Sequence, residues 1–337
     1  MNQRTTPHRG GFTLVELLIV ITIISIIAGM SMAALMGASE QGRLNRARAQ
    51  IAKIDQLISE KWNSYRFRQL PVRIPSNTAP AVAAVIRLNV MRELMRMEMP
   101  DRLTDVLDNP VTPGAPFGVQ ALPAVTRAYR RKVTGAASST LSYDQAEMLY
   151  LIISEIRDGD KSALEFFMNS EIGDVDGDGM YEILDPWGEP IMFLRWAPGY
   201  SRATINDPEL AGKIAAPAPL PQVAVSTFQI PDGSTKPDAF DPLKVDFRWN
   251  NGGASGFKPF LLRPLIFSAG PDKIYDIYTD DAATSFHYAS TSPSNDPYAV
   301  IVSAGVNYWM GMPADYANDG LQNGDNITNH GLELEGE

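Results

Sequence analysis

Twelve residues near the middle of this chain carry carboxylates at a spacing that suits a hard cation: Asp174-Val175-Asp176-Gly177-Asp178-Gly179-Met180-Tyr181-Glu182-Ile183-Leu184-Asp185. Acids stand at loop positions one, three, five, nine and twelve, with a glycine at six and the Met180 carbonyl at seven. This is the ligand order of a twelve-residue calcium loop, and calcium takes about six to eight oxygens. Without an ion, so many neighbouring acids repel one another. Position twelve is Asp185 in place of a long bidentate Glu, and Pro186 follows it, which rules out an ordinary exiting helix. The spacing predicts a helix over about 161–169 leading into the loop and a turn closing it. An Asp-Gly turn without metal is the competing reading.

A second acid stands where it must have a partner or a task. Glu16 opens a run that carries no further charge until Glu40 and is rich in Leu, Ile, Val, Ala and Met. That run exceeds the roughly 20 residues needed to cross a bilayer as a helix. An ionised acid within a span costs about 2.5–3.5 kcal/mol. Arg4, His8 and Arg9 precede the run without an acid among them, which places the N-terminus in the cytoplasm and the bulk of the chain across the membrane.

The elements that must position these groups follow from periodicity. Leu44, Ala47, Ile51, Ile54, Ile58, Trp62 and Tyr65 recur at helical steps. Proline is absent between Pro7 and Pro71, so one helix of about 56 residues is expected from Thr13 to Arg68, roughly 84 Å long. Its first half suits lipid or a filament core, and its amphipathic second half suits a globular head. Gly29, Gly37 and Gly42 are its soft points. Residues 74–170 read as helical: a helix over 81–98 closed by Pro100, a Pro/Gly-rich loop over 109–124, and a capping box at Ser142/Gln145 before the apolar run 148–153. Strands are expected at 191–196, 243–249, 260–267 and 298–302, with a loop at 215–223. Val302-Ser303-Ala304-Gly305 echoes Phe267-Ser268-Ala269-Gly270, a weak hint of a repeated strand and turn.

Composition limits the function classes. The net charge is −10 and is unevenly divided: residues 1–73 hold ten Lys/Arg against four Asp/Glu, and residues 171–337 hold nine against 24. An acidic C-terminal half argues against a nucleic-acid partner and favours cations. Cysteine is absent, so no disulfide holds an exported head. Only His8, His287 and His330 are available, and neither a Gly-x-Ser-x-Gly elbow nor a phosphate-binding Gly-Lys-Ser/Thr loop is found. Paired acids could serve glycoside hydrolysis. Their metal-loop spacing around glycines suits coordination better, so the chain is not expected to be an enzyme.

Gly11-Phe12-Thr13-Leu14-Val15-Glu16 followed by Leu17-Leu18-Ile19-Val20 closely resembles the class III signal of type IV pilins and type II secretion pseudopilins. The resemblance implies cleavage after Gly11 by a membrane peptidase and N-methylation of Phe12. It also implies that Glu16 pairs with the N-terminal amine of a neighbouring subunit during filament assembly. The ordinary signal anchor with an accidental Glu is the alternative. Asp185-Pro186-Trp187-Gly188-Glu189-Pro190-Ile191 is similar to the Asp-Pro-Trp-Gly-Asn-Pro segment of protein G-type major pseudopilins, which enters the small sheet of the head. Ser268-Ala269-Gly270-Pro271-Asp272-Lys273 resembles their Ser-x-Gly-x-Asp-Gly loop, with Lys273 where glycine is usual. There the resemblance implies a calcium ion, held here by Asp272 and Asp276, with Asp280 or Asp281 as secondary candidates. A solvated acidic loop is the alternative. Asp315, Asn318, Asp319, Asn323 and Asp325 could hold another ion or form a polar tail.

The fold class expected is α+β and pilin-like: a long N-terminal helix packed on a C-terminal head with a small antiparallel β-sheet, plus a helical insertion. The division is 1–11 leader, 12–70 long helix (12–36 transmembrane), 71–170 helical insertion and 171–337 acidic, β-rich, calcium-binding head. The candidate site residues are Gly11 and Phe12 for processing, Glu16 for assembly, and Asp174, Asp176, Asp178, Met180, Glu182, Asp185, Asp272 and Asp276 for metal. The function expected is a pseudopilin of a type II secretion-like pseudopilus in the bacterial inner membrane, with the head in the periplasm. Its partners would be other pilin or pseudopilin subunits and prepilin peptidase, with calcium as cofactor. The alternatives are a type IV minor pilin and a membrane-tethered periplasmic binding or adhesion protein. The large tip pseudopilin, of similar size, ranks lower because it usually lacks the acid matching Glu16.

Overall fold

The computed structural model describes residues 13–110, 119, 121–133, 143–158, 161–200, 237–251, 258–279, 296–298, 301–303, 306–312 and 326–331. Gly11, Phe12, Ser142, the loop at 215–223, Asp280, Asp281 and the acids and amides from Asp315 to Asp325 lie outside them. The chain divides into two units, Met1–Arg46 and Ala47–Glu337, with the first helix contributing to both. The layout is α+β, with a long apolar N-terminal helix and small antiparallel sheets in the second unit, here called the head.

Helix α1 (Leu14–Ser64) is continuous. Its large apolar side chains from Leu14 to Met36 are all exposed, the least of them, Val20, at 44%. Exposure of that extent in a stretch this apolar marks a surface made for lipid or for other helices. From Ala47 on, the helix turns one face inward: Ala47, Gln50, Ile51, Ile54, Ile58 and Trp62 are buried at steps of three and four. It ends at Ser64 and not at Arg68. The N–H groups of Tyr65, Arg66 and Phe67 donate to the carbonyls of Trp62, Asn63 and Ser64, the tighter i−3 pattern that closes a helix end.

Four helices follow: α2 (Pro80–Glu98), α3 (Leu103–Leu107), α4 (Ala124–Val133) and α5 (Asp144–Glu155). Pro80 is tolerated at the first turn of α2, where its missing N–H has no intrahelical role. The N-cap of α5 is Tyr143, with no side-chain cap bond; the expected Ser142/Gln145 box lies partly outside the described residues. Short strands β1 (Arg157–Asp158) and β2 (Lys161–Ser162) pair as a hairpin, and β3 (Ile172–Gly173) pairs with β4 (Glu182–Ile183). Strand pairing thus takes the start of the helix expected over 161–169. Only 3-10 turns at Ala163–Phe166 and Asn169–Glu171 remain of it, the first held by a Ser162/Glu165 capping box.

The main sheet is three-stranded and antiparallel: β5 (Met192–Leu194), β6 (Leu265–Ser268) and β9 (Ile327–Thr328), ordered 5-6-9. Met192 faces Phe267 and Leu194 faces Leu265, so these four share one face and enter a core with Ala146, Tyr200, Ile277, Trp309 and Met312. Phe193 and Ile266, on the other face, are fully buried too, which is why the segment reads as an unbroken apolar run. Strands β7 (Ile301–Ser303) and β8 (Val306–Tyr308) form a separate hairpin.

The strand expected at 243–249 is absent. Asp241 accepts hydrogen bonds from the N–H groups of Val245 and Asp246 and from Trp249 Nε1, and Lys244 adopts φ +52°. These bonds curl the backbone into turns, and α6 (Arg248–Asn251) follows. From α2, the buried Arg92 holds Asp246 at 2.8 Å and Asp238 at 3.1 Å.

A second buried ionic group joins the helices to the sheet. Arg195, just past β5, donates through Nη1 to Asp105 at 2.7 Å and to the Met99 carbonyl at 2.8 Å, and lies 3.4 Å from Asp101. Arg96 of α2 completes the group with Glu93 at 2.6 Å and Asp105 at 3.5 Å.

Candidate functional sites

Glu16 and the acidic loop lie in different units. At the start of α1, Glu16 and Thr13 form a reciprocal cap. Thr13 N and Oγ1 donate to Glu16 Oε2 at 2.8 and 2.9 Å, and Glu16 N donates to Thr13 Oγ1 at 3.2 Å. This is a capping box, and its Thr-x-x-Glu signature was present in the sequence. Glu16 therefore has an intrachain partner, and the cost of an acid at a membrane helix does not by itself require a neighbour's amine.

In the head, the acidic loop is built between β3 and β4. Gly177 and Gly179 take φ +77° and +93°, a region that L side chains rarely adopt, which permits the tight path between the acids. Each loop acid turns part of its carboxylate to the backbone. Asp174 accepts from the N–H groups of Gly177 and Gly179, Asp178 from Met180 and Glu182 from Val175. The Met180 side chain anchors the loop in a core formed with Val106, Tyr129, Val133, Met148 and Leu151.

The fold brings together Asp174, Asp176 and Glu182, each offering an oxygen within 4.8 Å of the others. Asp178 joins Asp176 in a second group of the same span, whose third member, Glu147, comes from α5. Two oxygens on opposite sides of one calcium ion, each at about 2.4 Å, would be about 4.8 Å apart, so both groups have the right span. Asp185 joins neither. Its Oδ1 accepts from the N–H groups of Trp187 and Glu189, and its Oδ2 accepts from Ser268 Oγ at 2.6 Å. It holds a turn with Gly188 at φ +88° that delivers the chain to β5.

Among the described residues neither Asp272 nor Asp276 belongs to a group of three or more side chains that could hold a metal ion. Asp272 Oδ1 accepts from Ile274 N–H as an Asx turn, and Asp276 is fully buried. Lys273, where the resemblance expects glycine, has φ +67°, the conformation a glycine would adopt freely. Its ammonium donates to the Trp187 carbonyl at 2.9 Å and to Glu189 at 3.0 Å, joining this loop to the Asp185 turn.

Electrostatics set the loop region apart. Burial, reinforced by Asp178, Asp144, Glu182 and Asp176, pushes the Glu147 carboxyl up to about 9. Burial pushes Glu182 to about 7, against the Val175 hydrogen bond and with Asp176, Asp174 and Asp178 adding to the rise. Asp144 also rises to about 7, through burial, against a backbone bond from Leu103 and the charge of Arg102. These folded-state values lie above the ordinary carboxyl range, so between about pH 5 and 9 these three carboxyls bind more protons in the folded head than in the unfolded chain. Their contribution to stability is greatest at the acidic end of that window and is lost as pH rises through the folded-state values. In chelator, the melting temperature is expected to be higher at about pH 5.5 than at about pH 8.5, and a flat or rising profile would contradict the assignment.

The first unit is a long helix with an exposed apolar surface, and the second is an α+β head, an arrangement that fits an inner-membrane anchor carrying a folded domain. Residues 6–32 match the prokaryotic N-terminal methylation motif, which characterises structural proteins processed by prepilin peptidase. The match supports a type IV pilin-like protein and implies assembly with pilin subunits. Neither a search of curated proteins nor one of solved structures finds a match.

Proposed function

We propose that the chain is a structural, non-enzymatic pseudopilin of a type II secretion-like pseudopilus. In this reading it is inserted in the inner membrane with a cytoplasmic N-terminus and a periplasmic head. It is cleaved after Gly11, methylated at Phe12 and assembled through α1, and its head is stabilised by calcium at the acidic loop. The observation that carries the reading is the methylation motif on a helix whose apolar half is exposed along its whole length. The Asp-Pro-Trp-Gly turn leading into β5 supports a secretion pseudopilin over a type IV pilin.

The test is expression of the full chain with and without a prepilin peptidase. Intact-mass measurement is expected to show a product starting at methylated Phe12 only with the peptidase, and the product should sediment with sheared filaments. A processed protein that stays in the membrane fraction while a secretion pseudopilus assembles without it would favour the tethered binding protein. Failure to be cleaved would overturn both.

A further inference from the structure

We propose that Glu147 of α5 is a calcium ligand of the acidic loop, supplying from a separate helix the long carboxylate that the loop lacks at its twelfth position. The inference rests on the calcium reading of the loop and adds a residue well outside it.

Glu147 is buried, with 4% of its surface exposed, in a helix whose other buried residues include Ala146, Met148, Leu149, Leu151, Ile152 and Ile153. Among the described residues its Oε1 makes no hydrogen bond. A buried carboxylate without a donor is strongly unfavourable, and native proteins pair such groups or use them to bind metal. Here the nearby charges are negative: Asp178, Asp144, Glu182 and Asp176. Two further carboxylate oxygens in the same place, Asp176 Oδ2 and Glu182 Oε1, are also buried and make no hydrogen bond among the described residues. Glu182 has no exposed surface at all. Each of these two acids directs its other oxygen to a loop N–H, so the loop is already shaped while one buried oxygen of each acid is left without a donor.

Asp176 belongs to both oxygen groups, with Glu147 and Asp178 on one side and Asp174 and Glu182 on the other. The donors are all carboxylates, without imidazole or thiolate, which selects a hard cation over zinc or copper. A flexible loop with this many acids suits calcium better than the small, rigid octahedron of magnesium. Asp185 is committed to Ser268, Trp187 and Glu189, and Glu147 fills the place it leaves. Binding would then tie α5, and with it the helical part of the head, to the loop between β3 and β4.

The experiment uses the full chain in detergent, stripped with chelator and titrated with calcium chloride, with affinity read by calorimetry and melting temperature read in parallel. The wild type is expected to bind calcium and to melt higher with it than in chelator. Glu147→Gln removes a ligand charge while keeping shape. It is expected to weaken calcium binding by roughly tenfold or more, since ligand charge count sets affinity in such sites. In chelator the same variant should melt at or above the wild type, because Gln keeps the shape of the side chain and can carry no charge beside Asp178, Asp144, Glu182 and Asp176. Asp178→Asn tests the same oxygen group from the loop side and should weaken calcium by a similar factor. Wild-type affinity in Glu147→Gln alongside lost binding in Asp174→Asn would overturn the role of Glu147 and leave the loop reading standing. No calcium binding by the wild type would overturn both, and so would binding of magnesium alone.

Discussion

Replacing Arg195 by Met is expected to lower the stability of the head by about 3–5 kcal/mol, the usual consequence of removing one partner from a buried ionic group. Arg195 is almost fully buried, and its guanidinium lies 2.7 Å from Asp105, which has no exposed surface. Burial already pushes the Asp105 carboxyl above its ordinary value, and Arg195 is the largest influence holding it down. Without Arg195, Asp105 loses the guanidinium at 2.7 Å while Arg96 stands at 3.5 Å, and the carbonyl of Met99 loses its 2.8 Å donor. Met preserves most of the apolar volume, so the loss reports charge and hydrogen bonding more than a cavity.

The group joins the α2–α3 corner to the end of β5, and its failure should loosen helices and sheet together. Denaturant unfolding at neutral pH should show a lower midpoint with an unchanged slope. The difference from wild type should shrink as pH falls, because the variant's Asp105, raised further without Arg195, is the more readily protonated. A loss below about 1 kcal/mol at neutral pH would mean that the group holds Asp105 without Arg195.

Glu16→Ala is expected to leave the chain inserted and cleaved but to reduce its incorporation into filaments at least a hundredfold. If Glu16 meets a neighbour's N-terminal amine away from water, removing it strands that amine, at a cost of about 3–5 kcal/mol. At about 1.4 kcal/mol per factor of ten, this is a change of more than a hundredfold in the assembly equilibrium. The capping box supplies a competing explanation, because Ala also removes the acceptor for Thr13 N and Oγ1. Loss of a cap costs about 0.5–2 kcal/mol. Glu16→Gln separates the two. Gln can serve in a capping box but carries no charge. Filament incorporation of Glu16→Gln as low as that of Glu16→Ala supports pairing between subunits. Recovery to near wild-type levels would assign Glu16 to the helix cap alone.

Features carried by neighbouring residues were legible. The helical step from Leu44 to Tyr65 became the buried face of α1 from Ala47 onward, because a 3.6-residue period needs no knowledge of what lies opposite. The apolar run at 191–194 became β5, and the acids at loop positions one, three and nine do converge, since glycines at 177 and 179 bend the chain locally. Expectations failed where distant residues competed. The helix over 161–169 gave way to pairing of Lys161 and Ser162 with Asp158 and Arg157. The strand over 243–249 gave way to the turn bonds of Asp241 and to Arg92, which holds Asp238 and Asp246 from another helix. Local propensity is a weak preference that such contacts readily override.

Among the functional groups, the apolar helix with its single acid, the methylation motif and the spacing of the loop carboxylates can be read along the chain. These are properties of consecutive residues, and covalent connection already holds them together. That Asp185 turns to Ser268 on β6 and that Glu147 enters the carboxylate group from α5 comes from long-range packing. A lone Glu before an apolar helical run carried a signal of the same kind as Glu16: an acid in surroundings that exclude water. What it faces depends on how α5 packs against β4 and β5, and no spacing along the chain specifies that.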